Sequence, residues 1–426
     1  MATYRAEVFQ NQFMADGASE VHAIMTVAVD GAGASGPAAP ASGTKMFGIL
    51  CDVSGSMSGE KIHAAKEALS KLVQMLPEDI HFFLVAGSAV GQLIFPAQLA
   101  TAESKSRAMT AIRGMTAEGG TVISTWLEQA LIQFRKLEGG VKQALLLTDG
   151  QNDETDSKRL AQMVENCRGV FQCDCRGVGT DWDVQQLKKI GATLLGSVDI
   201  ISKPAQMDGD FKAILAATMA KSVGEAHVRL WTPVGARILF CKQVSPEIAD
   251  LTQLGRPVKA QVTDYPTGAW SGSESRDYHF AIQVKPGAVG DEMLAGRASL
   301  VVIEGPAETK VAEARILAIW TDDEAKSTRI ERHVAHYTGQ ADLAQSIQEG
   351  LEARTRGDTE TATAKLGKAV KIAHESGNEA TAKLLRTVVD VQDEATGTVR
   401  LKRAVAKEDE MALETRSTKT KRVQKS

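Results

Sequence analysis

The sequence predicts an α/β protein whose doubly wound, mainly parallel sheet is inserted in or joined to an antiparallel β-sandwich, with a small C-terminal helical bundle beyond it. Three changes of period carry this reading. Between residues 44 and 223, short apolar runs alternate with segments that repeat apolar residues every three or four positions, as βα units covered on both faces do. From 224 to 320 the period falls to two, with Pro and Gly between the runs, as in a sandwich of antiparallel strands. From 321 to 396 the helical period returns.

Taken in order, residues 1–30 hold strand-like sequence, with Glu7-Val8-Phe9 and the alternating Val21 to Val29. These strands are expected to join the later sandwich, which makes the α/β domain an insertion; the alternative is an independent arm. Residues 31–43, GAGASGPAAPASG, have the composition of a flexible linker. The α/β domain then opens with the apolar run Met46 to Cys51. A helix follows from Gly59 to Gln74, carrying Ile62, Ala65, Leu69 and Leu72 at helical spacing. Strands are expected at 80–86, 90–95 (at an edge), 142–147, 170–178 and 196–201, and helices at 101–112, 122–134, 157–167 and 208–223. Gly177-Val178-Gly179 permits a tight turn, and Asp181 is the expected cap of the helix bearing Val184, Leu187 and Ile190. In the sandwich, Pro233, Pro257, Pro266, Pro286-Gly287 and Gly305-Pro306 read as turns. Helices are expected at 341–355, 359–375 and 378–391, broken at Gly357-Asp358 and Gly377-Asn378; GDTETATAKLGKAVKIAHESGN is similar to a single tetratricopeptide-like helix pair. Residues 397–426 carry nine Lys/Arg against four Asp/Glu and few bulky apolar residues, so this basic tail is expected to be disordered.

The chemistry-bearing stretch is Met46 to Met57, MFGILCDVSGSM. Its apolar strand ends at Asp52, and Ser54 and Ser56 follow at alternate positions. In extended chain these side chains point the same way, so one carboxylate and two hydroxyls converge past the carboxyl end of a strand. Hard oxygen donors of this kind suit Mg²⁺. Gly119-Gly120-Thr121 places a further hydroxyl at a helix start, and Gln143 to Gly150 is a second apolar strand ending in Thr148-Asp149-Gly150. In order, DxSxS, GGT and TDG resemble the metal-ion-dependent adhesion site of von Willebrand factor A domains, of the intracellular bacterial type, over roughly residues 45–223. The resemblance implies a Rossmann-like fold and a divalent ion, Mg²⁺ or else Mn²⁺ or Ca²⁺. It implies that Ser54, Ser56 and Thr121 ligate the ion while Asp52 and Asp149 position and neutralise it. It also implies a protein partner that presents an Asp or Glu carboxylate to the ion.

Other candidates are weaker. Cys167, Cys173 and Cys175 lack the paired C-x-x-C spacing of zinc sites and read as structural thiols; His333 and His336 have no third ligand in view. Asp153, Glu154 and Asp156 follow Asp149 but read as solvated residues rather than a general base. There is no Gly-x-Ser-x-Gly elbow, Walker loop or histidine-paired cysteine, so no enzymatic activity is expected. A net charge of −4 gives no electrostatic reason for nucleic acid as the main partner. No apolar run approaches the ~18 residues of a membrane span. No secretory signal is seen, and five unevenly spaced cysteines do not form a disulfide framework, which leads to a cytoplasmic expectation. The first functional reading is a metal-dependent adaptor. The alternative is a regulatory or substrate-recruiting subunit of an ATPase- or kinase-containing complex. In that case Thr415, Thr418 and Thr420, as exposed hydroxyls in a basic tail, become phosphorylation positions read by a forkhead-associated domain.

Overall fold

The computed structural model describes residues 3–30 and 44–423. The 31–43 linker reading falls outside them.

The chain begins in the sandwich. Strand β1 (Thr3–Phe9) pairs antiparallel with β3 (Glu20–Asp30), and the short β2 (Phe13–Ala15) between them crosses to the opposite sheet. The α/β domain then runs β4 (Lys45–Asp52), α1 (Glu60–Met75), β5 (Ile80–Gly87), β6 (Gly91–Leu99), α2 (Ala102–Arg113), α3 (Ile123–Phe134), β7 (Val141–Thr148), α4 (Ser157–Cys167), β8 (Gln172–Val178), α5 (Val184–Thr193), β9 (Val198–Ile201) and α6 (Met207–Ala220). Its sheet has the order β6-β5-β4-β7-β8-β9, parallel except for the edge strand β6.

The period of two along β4 sorts its side chains between two cores. Phe47, Ile49 and Cys51 face the layer of α1, α2 and α6; Met46 and Leu50 face α3, α4 and α5. Burial on both faces explains why β4 and β7 read as unbroken apolar runs. The chain leaves β4 toward β5 on one side and later returns to β7 on the other. This reversal opens a crevice at the carboxyl ends of β4 and β7.

The sandwich resumes with β10 (Lys221–Trp231), directly after α6, and continues through β11 (Arg237–Ser245), β12 (Ala249–Asp250), β13 (Arg256–Lys259), β14 (Val262–Ser271), β15 (Glu274–Gln283), β16 (Glu292–Glu304) and β17 (Ala307–Thr321). One sheet has the order β1-β3-β15-β11-β12 and the other β13-β14-β10-β16-β17-β2. Val21, Ala23, Val27, Phe280 and Ile282 from the first sheet share a core with Val228, Leu230, Leu300 and Trp320 from the second. Because β3 lies between β1 and β15, the α/β domain sits in the chain between two strands of one sandwich. Pro266 does not end a strand, contrary to the sequence reading. It lies within β14 opposite His227, beyond the reach of the short β13, so its missing N–H breaks no ladder bond.

The C-terminal part contains α7 (Glu324–Ser327), α8 (Arg332–Thr355), α9 (Thr359–Glu375), α10 (Glu379–Val388), β18 (Val389–Asp393), β19 (Thr398–Leu401) and α11 (Lys407–Arg416). Two expectations need correction. The third helix stops at Val388, where Val389 to Val391 form a hairpin strand instead. The basic tail is folded through residue 423. Met411 and Ala412 of α11 enter the core beneath α4 and α5, while Leu413 enters the core of the helical region. Three adjacent residues thus bury against two different bodies, which leaves no 3.6-residue stripe for a sequence reading to find.

Candidate functional site

The site is built at the reversal of strand order. Asp52 ends β4 and is fully buried. Its Oδ1 accepts the backbone N–H of Ser54 at 2.7 Å, and its Oδ2 accepts the Thr148 hydroxyl at 2.5 Å. The carboxylate of one strand is thereby held by the last residue of its neighbour. Burial pushes the Asp52 carboxyl above its usual range, against the opposing pull of these bonds from Ser54 and Thr148.

Past Asp52 the chain enters a short 3-10 turn (Gly55–Met57). Ser56 Oγ donates to Asp149 Oδ1 at 2.6 Å and lies 2.9 Å from Ser54 Oγ. A hydroxyl has one proton, and that of Ser56 goes to Asp149, so Ser54 is the donor to Ser56. Both protons therefore run inward toward a buried carboxylate, which leaves oxygen lone pairs for a cation. Lys61, in the first turn of α1, completes the arrangement: its Nζ is 2.5 Å from Asp149 Oδ2.

Thr121 arrives on a loop tied down from both sides. Gly55 N–H donates to Gly119 O at 2.9 Å, Glu118 N–H to Val53 O at 2.7 Å, and Asp153 N–H to Thr121 O at 2.8 Å. Gly119 takes this turn at a φ of +80°, a conformation that favours glycine. Residues just after Asp149 cap the helix that follows Thr121. Asn152 Oδ1 accepts Ile123 N–H at 2.8 Å, and the buried Asp156 takes both the N–H and the hydroxyl of Ser124. Asp156 is thus no solvated residue, which corrects the sequence reading; Asp153 and Glu154 are exposed.

The donors fit a small divalent ion. A Cβ placed on Gly150 would stand 3.3 Å from both Ser56 Oγ and Thr121 Oγ1, so these hydroxyls face a common space that only glycine leaves open. Ser54 is in contact with Ser56, and all donors are hard oxygens. All five sequence-predicted residues, Asp52, Ser54, Ser56, Thr121 and Asp149, therefore meet around one crevice. Sequence reasoning missed the partners: Thr148, Lys61, Asn152 and Asp156. Thr148 stood within the TDG motif and Lys61 just past DxSxS, but nothing in residue type alone assigns them to these carboxylates.

The other candidates are structural. All five cysteines are free and buried, and burial pushes the Cys167 thiol up to about 12. His333 stacks on Phe9 and bonds Glu331, while His336 Nε2 donates to Lys421 O at 2.7 Å. The cap of α5 is Asp183, which accepts Gln186 N–H at 3.0 Å, and not Asp181, which is exposed. The tail threonines are engaged, which corrects the reading of exposed hydroxyls. Thr415 is buried and donates to Met411 O at 2.8 Å, Thr418 to Glu247 Oε1 at 2.7 Å, and Thr420 to Val244 O at 2.7 Å. Among the described residues, no helix is long and apolar enough to cross a membrane.

Comparison with known proteins agrees with this architecture. Residues 48–200 match the von Willebrand factor type A domain, and residues 371–417 match the von Willebrand factor type A C-terminal domain. A solved von Willebrand factor type A structure from Catenulispora acidiphila is 42% identical, with 99% of this chain and 97% of that chain covered and a TM-score of 0.92. The ArnB paralog VWA2 from Sulfolobus acidocaldarius shares the fold over 98% of both chains, at 12% identity and a TM-score of 0.60. An uncharacterised Synechocystis protein, sll0103, is 28% identical over 214 residues; the match spans 48% of this chain and about half, 49%, of that relative. The chain belongs to the von Willebrand factor type A family.

Proposed function

We propose that this chain is a metal-dependent protein-docking module, an adaptor that captures an Asp or Glu side chain of a partner protein. The observation that carries the reading is the convergence of the Ser54, Ser56 and Thr121 hydroxyls beside two buried carboxylates that are already engaged. Three neutral hydroxyls hold a cation without cancelling its charge. Asp52 and Asp149 sit behind them and orient them. Held by these hydroxyls, a Mg²⁺ would supply an electrophilic centre that attracts a carboxylate oxygen from outside.

The engagement of two of the neighbouring acids supports docking over catalysis. Asp153 accepts the N–H and hydroxyl of Thr155, and Asp156 is committed to Ser124, so neither is poised as a general base. The partner is sought directly, by capture from native extract with wild type and Asp52→Ala as baits, in Mg²⁺ and in EDTA. Proteins retained by wild type in Mg²⁺ alone are the expected result. Equal retention in all four conditions would move recognition away from the crevice.

A further inference from the structure

We infer that Lys61 is a specificity-determining residue of this site: its ammonium weakens the ion's own binding and leaves the loaded site with the positive charge that selects a carboxylate ligand. This rests on the metal-docking reading above. Asp149 is fully buried, and its two oxygens are divided between the Ser56 hydroxyl and the Lys61 ammonium. Among the described residues, Asp149 is the only acid with which Lys61 forms an ion pair. The stem runs beside the turn after β8, its Cε lying 3.9 Å from where a Cβ on Gly179 would stand, and the Asp149 carboxylate fixes the ammonium at its end. Lys61 is 27% exposed in its side chain, so its charge is only partly screened.

The charges then decide the ligand. Asp52 and Asp149 together match a divalent ion in magnitude. Without Lys61 the loaded site would have no net charge, and its pull on an outside anion would be weaker. With Lys61 it is one unit positive, which one monoanionic carboxylate neutralises. The same ammonium repels the incoming ion. Lys61 should therefore act with opposite sign on the two steps, weakening the ion and strengthening the carboxylate. A merely structural lysine would move both steps the same way.

The test is calorimetric titration of Mn²⁺ into the full chain, in sodium chloride and in sodium acetate at equal ionic strength, for wild type, Lys61→Gln and Lys61→Arg. Lys61→Gln should bind Mn²⁺ about tenfold tighter in chloride, the size of one unit charge acting on a divalent ion several ångströms away in near-aqueous surroundings. Acetate should tighten Mn²⁺ binding to wild type and to Lys61→Arg alike, and should lose most of that effect in Lys61→Gln. If wild type binds Mn²⁺ but Lys61→Gln binds it equally or more weakly, the role of Lys61 is overturned while the docking reading stands. If none of the three proteins binds Mn²⁺, both are overturned. Lys61→Arg keeps the charge and does not strand Asp149, so it remains informative if the Gln variant fails to fold; a tenfold departure of Arg from wild type would contradict the proposal.

Discussion

The crevice at the ends of β4 and β7 and the C-terminal tail are both rich in hydroxyls, yet they use them in opposite ways. In the crevice, Ser54 donates to Ser56 and Ser56 to Asp149, and both keep lone pairs toward an open space. In the tail, Thr415 donates back to Met411 O within α11, while Thr418 and Thr420 donate to Glu247 and Val244 O and seam the tail to the sandwich. The ion pairs differ similarly. Lys61 meets a buried acid at the crevice, whereas Arg416 and Lys419 share the Asp199 carboxylate at the seam, and Arg422 meets Asp277. One region holds polar groups ready for a ligand; the other spends them on itself.

That contrast can be broken at its structural end first. Asp277 is buried and accepts Thr26 Oγ1 at 2.6 Å, Arg422 at 2.7 Å and the Tyr337 hydroxyl. Asp277→Ala would strand these groups and should cost about 3 kcal/mol in denaturant unfolding, with Mg²⁺ affinity unchanged. Thr148→Val acts at the other end. It keeps the shape but removes the hydroxyl that holds Asp52, and calorimetry should show Mg²⁺ affinity down by about 10–100-fold, with about 1–2 kcal/mol of stability lost at the stranded carboxylate.

Acid sensitivity should come from the sandwich. His279 is buried, and desolvation, with help from His22 and Lys242, pulls its pKa down to about 3. The folded state resists a proton that the unfolded chain accepts below about pH 6.5, so stability should fall as pH drops through that value. The expected loss is about 1 kcal/mol between pH 6.5 and 5.5, and unfolding curves of His279→Gln should lack it. The smallest effect belongs to the seam's partly exposed ion pairs. Arg416→Ala should cost about 0.5 kcal/mol or less, with Lys419 still on Asp199; a loss several times larger would show the seam to be more cooperative than its separate bonds.

The same comparison explains what was legible in the sequence. Asp52, Ser54 and Ser56 lie within five residues at one strand end, although the 3-10 turn rather than extended chain carries Ser56 into the crevice, and Thr121 and Asp149 lie at equally marked element ends. Such a site is written in short-range signals. The hold of Thr148 on Asp52 spans 96 residues, and that of Lys61 on Asp149 spans 88, so neither could be read from spacing. The tail shows the same limit more strongly. Its low apolar content suggested disorder, but Met411, Ala412 and Leu413 find cores contributed by segments far away in sequence. Pro266 misled for a related reason, because only the shortness of β13 makes a proline tolerable there.

The most direct test is an anomalous difference map from crystals grown in Mn²⁺. The account predicts a peak bounded by the hydroxyls of Ser54, Ser56 and Thr121, absent from crystals of Asp52→Ala. A peak elsewhere, or none at saturating Mn²⁺ in wild type, would contradict it.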